Sequence, residues 1–290
     1  MSVYKCYDCK KVLCKDCSTK HNDDTKLHHH LMQLMSDKFI LNCKFSLKEF
    51  VTCKRTLTDI EYLPSGLLIV AVERFPSELQ ICSVSGKQKH AIYLNNYPRK
   101  IDVVDKNTVA VSLTNKSIAI VDIQQHHICG TAINLIQDSF IYIENQFYVA
   151  NRLGIDVIDM SGDVKRRIDL SFTPYDMCYD VDSQRIYCMD SSKLICIDRD
   201  GNDIFTLVDP NWTELRDLTI DNEGNVLVLQ RNAGRGLGCV IKVDPNGKSN
   251  EVLITNIHLP MFTSTRISFH RLTNSVVIGV DDTVYIYKKK

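Results

Sequence analysis

From about residue 45 onward, apolar residues come in short runs broken by turn-forming residues. The runs include Leu-Leu-Ile-Val-Ala-Val at 67–72, Ser-Ile-Ala-Ile-Val-Asp at 117–122, Gly-Ile-Asp-Val-Ile-Asp at 154–159 and Val-Leu-Val-Leu at 226–229. They are rich in β-branched residues and bounded by Gly, Asn, Asp and Ser, which is how strands read. Nothing holds a period of 3.6, so the pattern predicts almost no helix.

The turns themselves recur. One set lies at Ser85-Gly86, Gln124-Gln125, Ser161-Gly162, Asp200-Gly201 and Asn246-Gly247, in steps of 38, 38, 39 and 46 residues. The longest step contains the loop insertion Asn-Ala-Gly-Arg-Gly-Leu-Gly at 232–238. A second set of six lies at Ser65-Gly66, Lys106-Asn107, Glu144-Asn145, Asp182-Ser183, Glu223-Gly224 and Thr273-Asn274. A period of about 40 residues holding four short strands is one propeller blade. The expected fold is mainly β, a six-bladed β-propeller over residues 58–290. The alternative is an irregular β-sandwich. The chain stops at Lys290, before the sixth blade has an outer strand. Residues 45–53, in a connecting segment at 35–57, are expected to supply that strand and close the ring, which removes an exposed edge.

Composition sets limits. Lys plus Arg and Asp plus Glu each count 35, so polyanion binding by bulk charge is excluded, though a local basic face is not. A hydrophobic share of 44% is ordinary for a folded protein. The run at 67–72 is the longest apolar stretch, far short of the roughly 20 residues of a membrane helix. The first residues have no apolar core of a secretory signal, so a reducing, cytoplasmic setting is expected.

Twelve cysteines are unevenly placed. Eight are scattered (Cys43, Cys53, Cys82, Cys129, Cys178, Cys188, Cys196, Cys239), mostly within apolar stretches where a thiol acts as a small hydrophobe. The other four read Cys6-x2-Cys9-x4-Cys14-x2-Cys17, followed by His21 and by His28, His29 and His30. Two Cys-x2-Cys knuckles with downstream histidines have the donors and spacing of a tetrahedral Zn2+ centre. The surrounding segment is too polar for a core, so zinc would supply its folding energy. One alternative is a redox-labile cysteine cluster without metal. Another places all four thiolates on a single zinc.

The stretch Tyr-Lys-Cys-Tyr-Asp-Cys-Lys-Lys-Val-Leu-Cys-Lys-Asp-Cys at 4–17, with His21 and the tail to Met32, resembles the second half of a B-box zinc finger. The resemblance implies that residues 1–34 are a partial B-box. Cys6, Cys9, His21 and His29 would fill one zinc site, and Cys14 and Cys17 half of a second. His28 or His30 could stand in for His29. The family's first two ligands would precede Cys6, so the chain is expected to be part of a longer protein or a truncated one. The phrases Tyr-Pro-Arg-Lys-Ile-Asp-Val at 97–103, Asn-Thr-Val-Ala-Val-Ser at 107–112 and Leu-Thr-Ile-Asp-Asn-Glu-Gly-Asn-Val at 218–226 resemble NHL-type propellers. The two resemblances together point to the tripartite-motif family of E3 ubiquitin ligases, here without the RING finger or the long coiled coil. They imply a zinc-binding adaptor whose propeller recruits a protein target, and no ubiquitin transfer by this chain itself.

Propellers commonly bind through the loops between second and third strands and between blades. Here those loops are expected to carry Arg74, Tyr97, Arg99, Arg152, Tyr175, Trp212, Arg216, Arg231, Arg235, Phe262 and Arg266. Arginines with aromatics suit a protein hot spot or stacked single-stranded RNA. Glu73, Asp190, Glu214, Asp281 and Asp282 are interleaved, as on an ordinary solvated surface, and Trp212 could simply cap the core. There is no nucleophile elbow, P-loop or dinucleotide fingerprint. A calcium-dependent hydrolase would need inward carboxylates, and Asp102, Asp176 and Asp217 near first-strand starts are the candidates. His90, His126, His127, His258 and His270 have no partner pattern and read as surface residues.

Overall fold

The continuous apolar runs are explained by strands covered on both faces. In the computed structural model, residues 68–72 and 77–82 are buried at every position. Outer strands such as Asp203–Val208 alternate between exposed and half-buried positions instead. The structure describes residues 3–6, 12–14, 32–35, 39–47, 56–73, 76–133, 139–232, 236–261 and 263–289.

Six four-stranded antiparallel sheets form the blades of a six-bladed β-propeller. Blade 1 comprises Thr56–Tyr62, Leu68–Glu73, Ser77–Cys82 and Gln88–Leu94, from the axis outward. Blade 2 is Pro98–Val103, Thr108–Leu113, Ser117–Asp122 and His127–Ile133, and blade 3 is Phe140–Ile143, Gln146–Asn151, Gly154–Asp159 and Val164–Asp169. Blade 4 is Asp176–Asp180, Arg185–Met189, Lys193–Asp198 and Asp203–Val208, and blade 5 is Glu214–Ile220, Val226–Asn232, Leu237–Val243 and Asn250–His258. Blade 6 takes Thr265–His270, Ser275–Val280 and Thr283–Lys289 from the C-terminal end and Phe39–Ser46 from the N-terminal side.

The ring is therefore closed by an N-terminal strand, but one that begins six residues earlier than expected and shares only Phe45 and Ser46 with residues 45–53; residues 48–53 lie outside the described residues. Phe39–Ser46 pairs with Thr283–Lys289 in a register running from Thr283 opposite Ser46 to Lys289 opposite Phe39. The strand lies earlier because only its half-buried residues Phe39, Cys43 and Phe45 face the blade core. So sparse a pattern barely marks a strand in the sequence. A separate three-stranded sheet joins Val12–Cys14, Val3–Cys6 and Met32–Met35.

Both turn sets fall on hairpins. The set at Gly66, Asn145, Gly224 and Asn274 joins first to second strands, and that at Gly86, Gly162, Gly201 and Gly247 joins third to outer strands. All eight residues have positive φ, between 49° and 93°. An aspartate opens several of these turns and accepts its backbone amides. Asp159 Oδ1 takes those of Ser161 and Asp163, Asp198 Oδ1 those of Asp200 and Asn202, and Asp244 Oδ1 those of Asn246 and Lys248.

Blades pack through apolar clusters, one at each of the six junctions. Between blades 3 and 4, Tyr148 and Ile155 meet Ile186 and Cys188, for example. Each fully buried large side chain contributes about 1.5–3 kcal/mol. Cys82, Cys188 and Cys196 belong to these junctions, and burial raises their thiol pKa values, Cys82 and Cys196 to about 11. Cys129 departs from the expectation for scattered cysteines: it is exposed.

Candidate functional site

The inner strands bring a charged cluster to the propeller axis. Blade 1 contributes Asp59 and Glu61, blade 2 Lys100 and Asp102, blade 4 Asp176, blade 5 Asp217 and blade 6 Arg266. The side chains of Asp59 and Asp217 are each 1% exposed. Lys100 Nζ lies 2.8 Å from Asp176 Oδ1 and 3.5 Å from Asp217 Oδ1. Arg266 Nε lies 3.5 Å from Asp59 Oδ1.

The same carboxylates tie neighbouring blades together. Asp59 Oδ2 accepts the Ile101 amide at 2.6 Å, and Asp217 Oδ2 that of Ile267 at 2.7 Å. Asp102 Oδ2 accepts the Tyr142 amide. Ser268 Oγ accepts the Tyr62 amide and donates to Glu61 Oε2, joining blade 6 to blade 1. Ser139 Oγ donates to Asp176 at 3.4 Å between blades 3 and 4, and Lys100 bridges blades 4 and 5.

Five carboxylates face two cations, and the protonation follows. Burial, then the charge of Asp59, pushes Glu61 up to about 8. Burial lifts Asp102 to about 6, against the Tyr142 amide and Lys100. Asp59 is raised too, chiefly by burial. Asp176 and Asp217 are driven apart: burial opposes ionisation of both, but Lys100 holds Asp176 below the usual range, while Asp217 lies well above it. Burial opposes the charge of Lys100, yet the surrounding carboxylates, led by Asp176, hold its pKa well above normal.

Lys100 separates two cavities. At the end where inner strands begin, Arg99, Lys100, Ser139, Tyr175, Asp176, Arg216 and Arg266 line about 250 Å³. This mouth joins four residues of the expected binding face: Arg99, Tyr175, Arg216 and Arg266. Arg99 pairs with Glu73 at 2.9 Å and Arg216 with Glu214 at 3.2 Å, while Arg216 Nε is buried without a hydrogen-bond partner. At the other end a larger cavity of about 500 Å³ is lined by Glu61, Asp102, Lys100 and a wall of apolar side chains.

Other expected face residues lie apart. Trp212 packs into the core between blades 4 and 5, because its indole covers the ends of those blades' apolar strands. Arg231 is buried against Glu214 and donates to the Pro260 carbonyl at 3.2 Å, so its charge is spent within the fold. Tyr97 and Arg152 are exposed. Arg74, Arg235 and Phe262 lie outside the described residues.

His270 is a correction. It is 5% exposed and stacks on Tyr62 with ring centroids 4.2 Å apart, because its strand position faces blade 1. Burial, then Lys288, lowers its pKa. Of the expected zinc ligands, Cys6 and Cys14 end two adjacent antiparallel strands, while Cys9, Cys17, His21 and His29 lie outside the described residues. Among the described residues, no group of three or more His, Cys, Asp or Glu has the geometry to hold a metal ion. Asp102, Asp176 and Asp217 do point to the axis, but Lys100 stands where a calcium ion would have to bind the last two. No helix among the described residues is long and apolar enough to cross a membrane.

The inner-strand positions had a sequence signal. An aspartate followed by an apolar residue recurs at Asp59, Asp102, Asp176 and Asp217, in steps of 43, 74 and 41, that is about one, two and one blades. Lys100 and Glu61 had none. Neither a family model nor a curated protein matches the chain.

Proposed function

We propose that the protein is a scaffold whose propeller recruits a partner protein through the arginine-lined mouth. The observation that carries this is the convergence of Arg99, Arg216 and Arg266 around Tyr175, with the Arg216 Nε–H buried and unpartnered. A buried donor without a partner costs about 1–3 kcal/mol, which an incoming acceptor would recover. Arginine pairs carboxylates in a bidentate fork, so an acidic peptide segment suits the mouth. The propeller itself is a fold well suited to such recruitment.

The N-terminal cysteines and histidines are proposed to hold zinc and to form a second contact module. Their B-box-like spacing supports this, as does the polar character of the segment. The pairing of that module with a propeller supports kinship with tripartite-motif proteins. A RING-bearing relative would ubiquitinate the recruited target, while this chain would only bind it.

The test is fluorescence polarisation with a labelled octaglutamate peptide, against octalysine and octauridylate. Octaglutamate should bind, and Arg99→Ala and Arg216→Ala should each weaken it about tenfold. Tighter binding of octauridylate, lost in the same variants, would replace the protein target with RNA. No binding of either probe, or binding indifferent to both variants, would remove the mouth from consideration.

A further inference from the structure

At the far end of the axis from the arginine mouth, the inner strands terminate around the 500 Å³ cavity. Small-molecule sites fall between about 300 and 1,000 Å³, mostly apolar with a few convergent polar groups. Leu63, Ile141, Met177, Leu218 and Phe269 supply the apolar wall, and Glu61, Asp102 and Lys100 lie among them.

The polar groups around this cavity are acceptors in excess. Glu61 Oε2 is held by Ser268 Oγ at 2.7 Å, which fixes the carboxyl in place. His270 and Tyr62 line the cavity too, and their Nε2 and Oη atoms are buried without hydrogen-bond partners. His270 Nδ1 lies 2.5 Å from Thr273 Oγ1. When Nδ1–H donates there, Nε2 is left as an acceptor. The axis as a whole sets five carboxylates against Lys100 and Arg266, and Lys100 is already committed to Asp176 and Asp217. A ligand that fits would bring positive charge, several donors and an apolar body.

We infer that this cavity binds a small amphipathic amine, its alkyl part against Leu63, Met177, Leu218 and Phe269 and its ammonium group at Glu61 and Asp102. An ammonium offers three donors and no acceptor, matching the carboxylates and His270 Nε2, while Tyr62 Oη can accept as well as donate. Calcium fits less well, since it needs six to eight oxygens around one point and, among the described residues, no group of three or more His, Cys, Asp or Glu could hold a metal ion. The site is separate from the arginine mouth, and Lys100 stands between them.

Binding should also release protons. Glu61 titrates at about 8, so it is largely protonated at pH 7. The charged groups around it are Asp59 on its own strand, Lys100 and Asp102 on blade 2, Asp176 on blade 4, Asp217 on blade 5 and Arg266 on blade 6. Neutral His270 adds no charge. At the rim, Arg271 is turned to Asp182 at 3.6 Å. A bound ammonium lowers the Glu61 pKa and expels its proton.

The experiment is isothermal titration calorimetry of the full chain with n-hexylamine, 1-hexanol, hexanoate and Nα-acetyl-lysine methylamide. It is run at pH 7 in two buffers of different ionisation enthalpy. Hexylamine should bind at least about tenfold more tightly than hexanol, with protons released to the buffer. Glu61→Gln, which keeps the Ser268 contact, should weaken hexylamine about tenfold and abolish the release. Thr219 is half-buried and lines the same cavity. Thr219→Phe, which fills that cavity, should abolish binding at an unchanged melting temperature, and it serves alone if Glu61→Gln fails to fold. Equal binding of hexanol, tighter binding of hexanoate, or no binding of hexylamine would overturn the proposal. So would hexylamine binding that survives Thr219→Phe. Acetyl-lysine methylamide binding as tightly as hexylamine would make the cavity a reader of protein lysines and overturn it as a free-amine site.

Discussion

The ring of Phe45 lies directly over Gly86, so close that any side chain at Gly86 would collide with Phe45 Cγ. Phe45 belongs to the strand that closes blade 6, and Gly86 to the last hairpin of blade 1, so their contact seals the ring. The relation repeats between blades. Gly201 of blade 4 is covered by Ile168 of blade 3, and Gly247 of blade 5 by Phe205 of blade 4. The outer strand of one blade thus rests on the bare backbone of the next blade's turn.

Gly86→Ala should therefore destabilise the propeller by about 3 kcal/mol or more, since it combines a positive φ with a collision against a ring. Gly66→Ala is the control. Gly66 has a φ of 81° as well, but its nearest neighbour to a new Cβ is His270 Nε2 at 3.6 Å. It should lose only about 1–2 kcal/mol, the backbone cost alone. Urea unfolding of the two variants measures the difference.

Lys100→Met keeps the length of the side chain and removes its charge. Asp176 and Asp217 would then face each other without their shared cation, and a buried ion pair broken on one side costs about 3–5 kcal/mol. Lys100→Arg should recover little, because a planar fork cannot replace an ammonium between two carboxylates in so tight a channel. The unfolding midpoints of both variants test this. A Lys100→Met chain as stable as the parent would show that the carboxylates simply take up protons.

The blades were legible because hairpin chemistry is local. A glycine or asparagine that must adopt positive φ, with an aspartate opening several of the turns, marks eight of the eleven turns within five residues. The axial cluster was much less so. Glu61 and Asp102 lie 41 positions apart and meet only once blades 1 and 2 pack side by side. Lys100 reaches residues 76 and 117 positions away, and no local pattern records that. Trp212 and Arg231 looked like face residues for the complementary reason: a loop address does not say which way a long side chain turns.

The zinc proposal makes its own prediction. Protein purified without added metal should carry about one zinc per chain, held by four ligands. Cys9→Ser and His21→Ala should each lower the zinc content measured by elemental mass spectrometry. The unfolding transition of the propeller should stay unchanged, because among the described residues its apolar clusters draw only on positions from Phe39 onward. Metal content equal in parent and both variants would overturn the ligand assignment.

Acidity should stabilise this propeller over a range where many proteins are indifferent. Glu61 titrates at about 8 and Asp102 at about 6 in the folded chain, against ordinary values of 4.5 and 3.8. Both are raised, so the folded state binds more protons than the unfolded one. Their contribution is fully present below about pH 4 and is lost as pH climbs through 6 and then 8. Between those limits each such proton changes stability by up to about 1.4 kcal/mol per pH unit. The urea midpoint should accordingly fall from pH 5 to pH 8.5, and Glu61→Gln, neutral at every pH, should flatten the part of that fall above pH 6. A parent curve rising over the same range would mean that Glu61 is ionised in the native channel, with Lys100 or Arg266 as its partner.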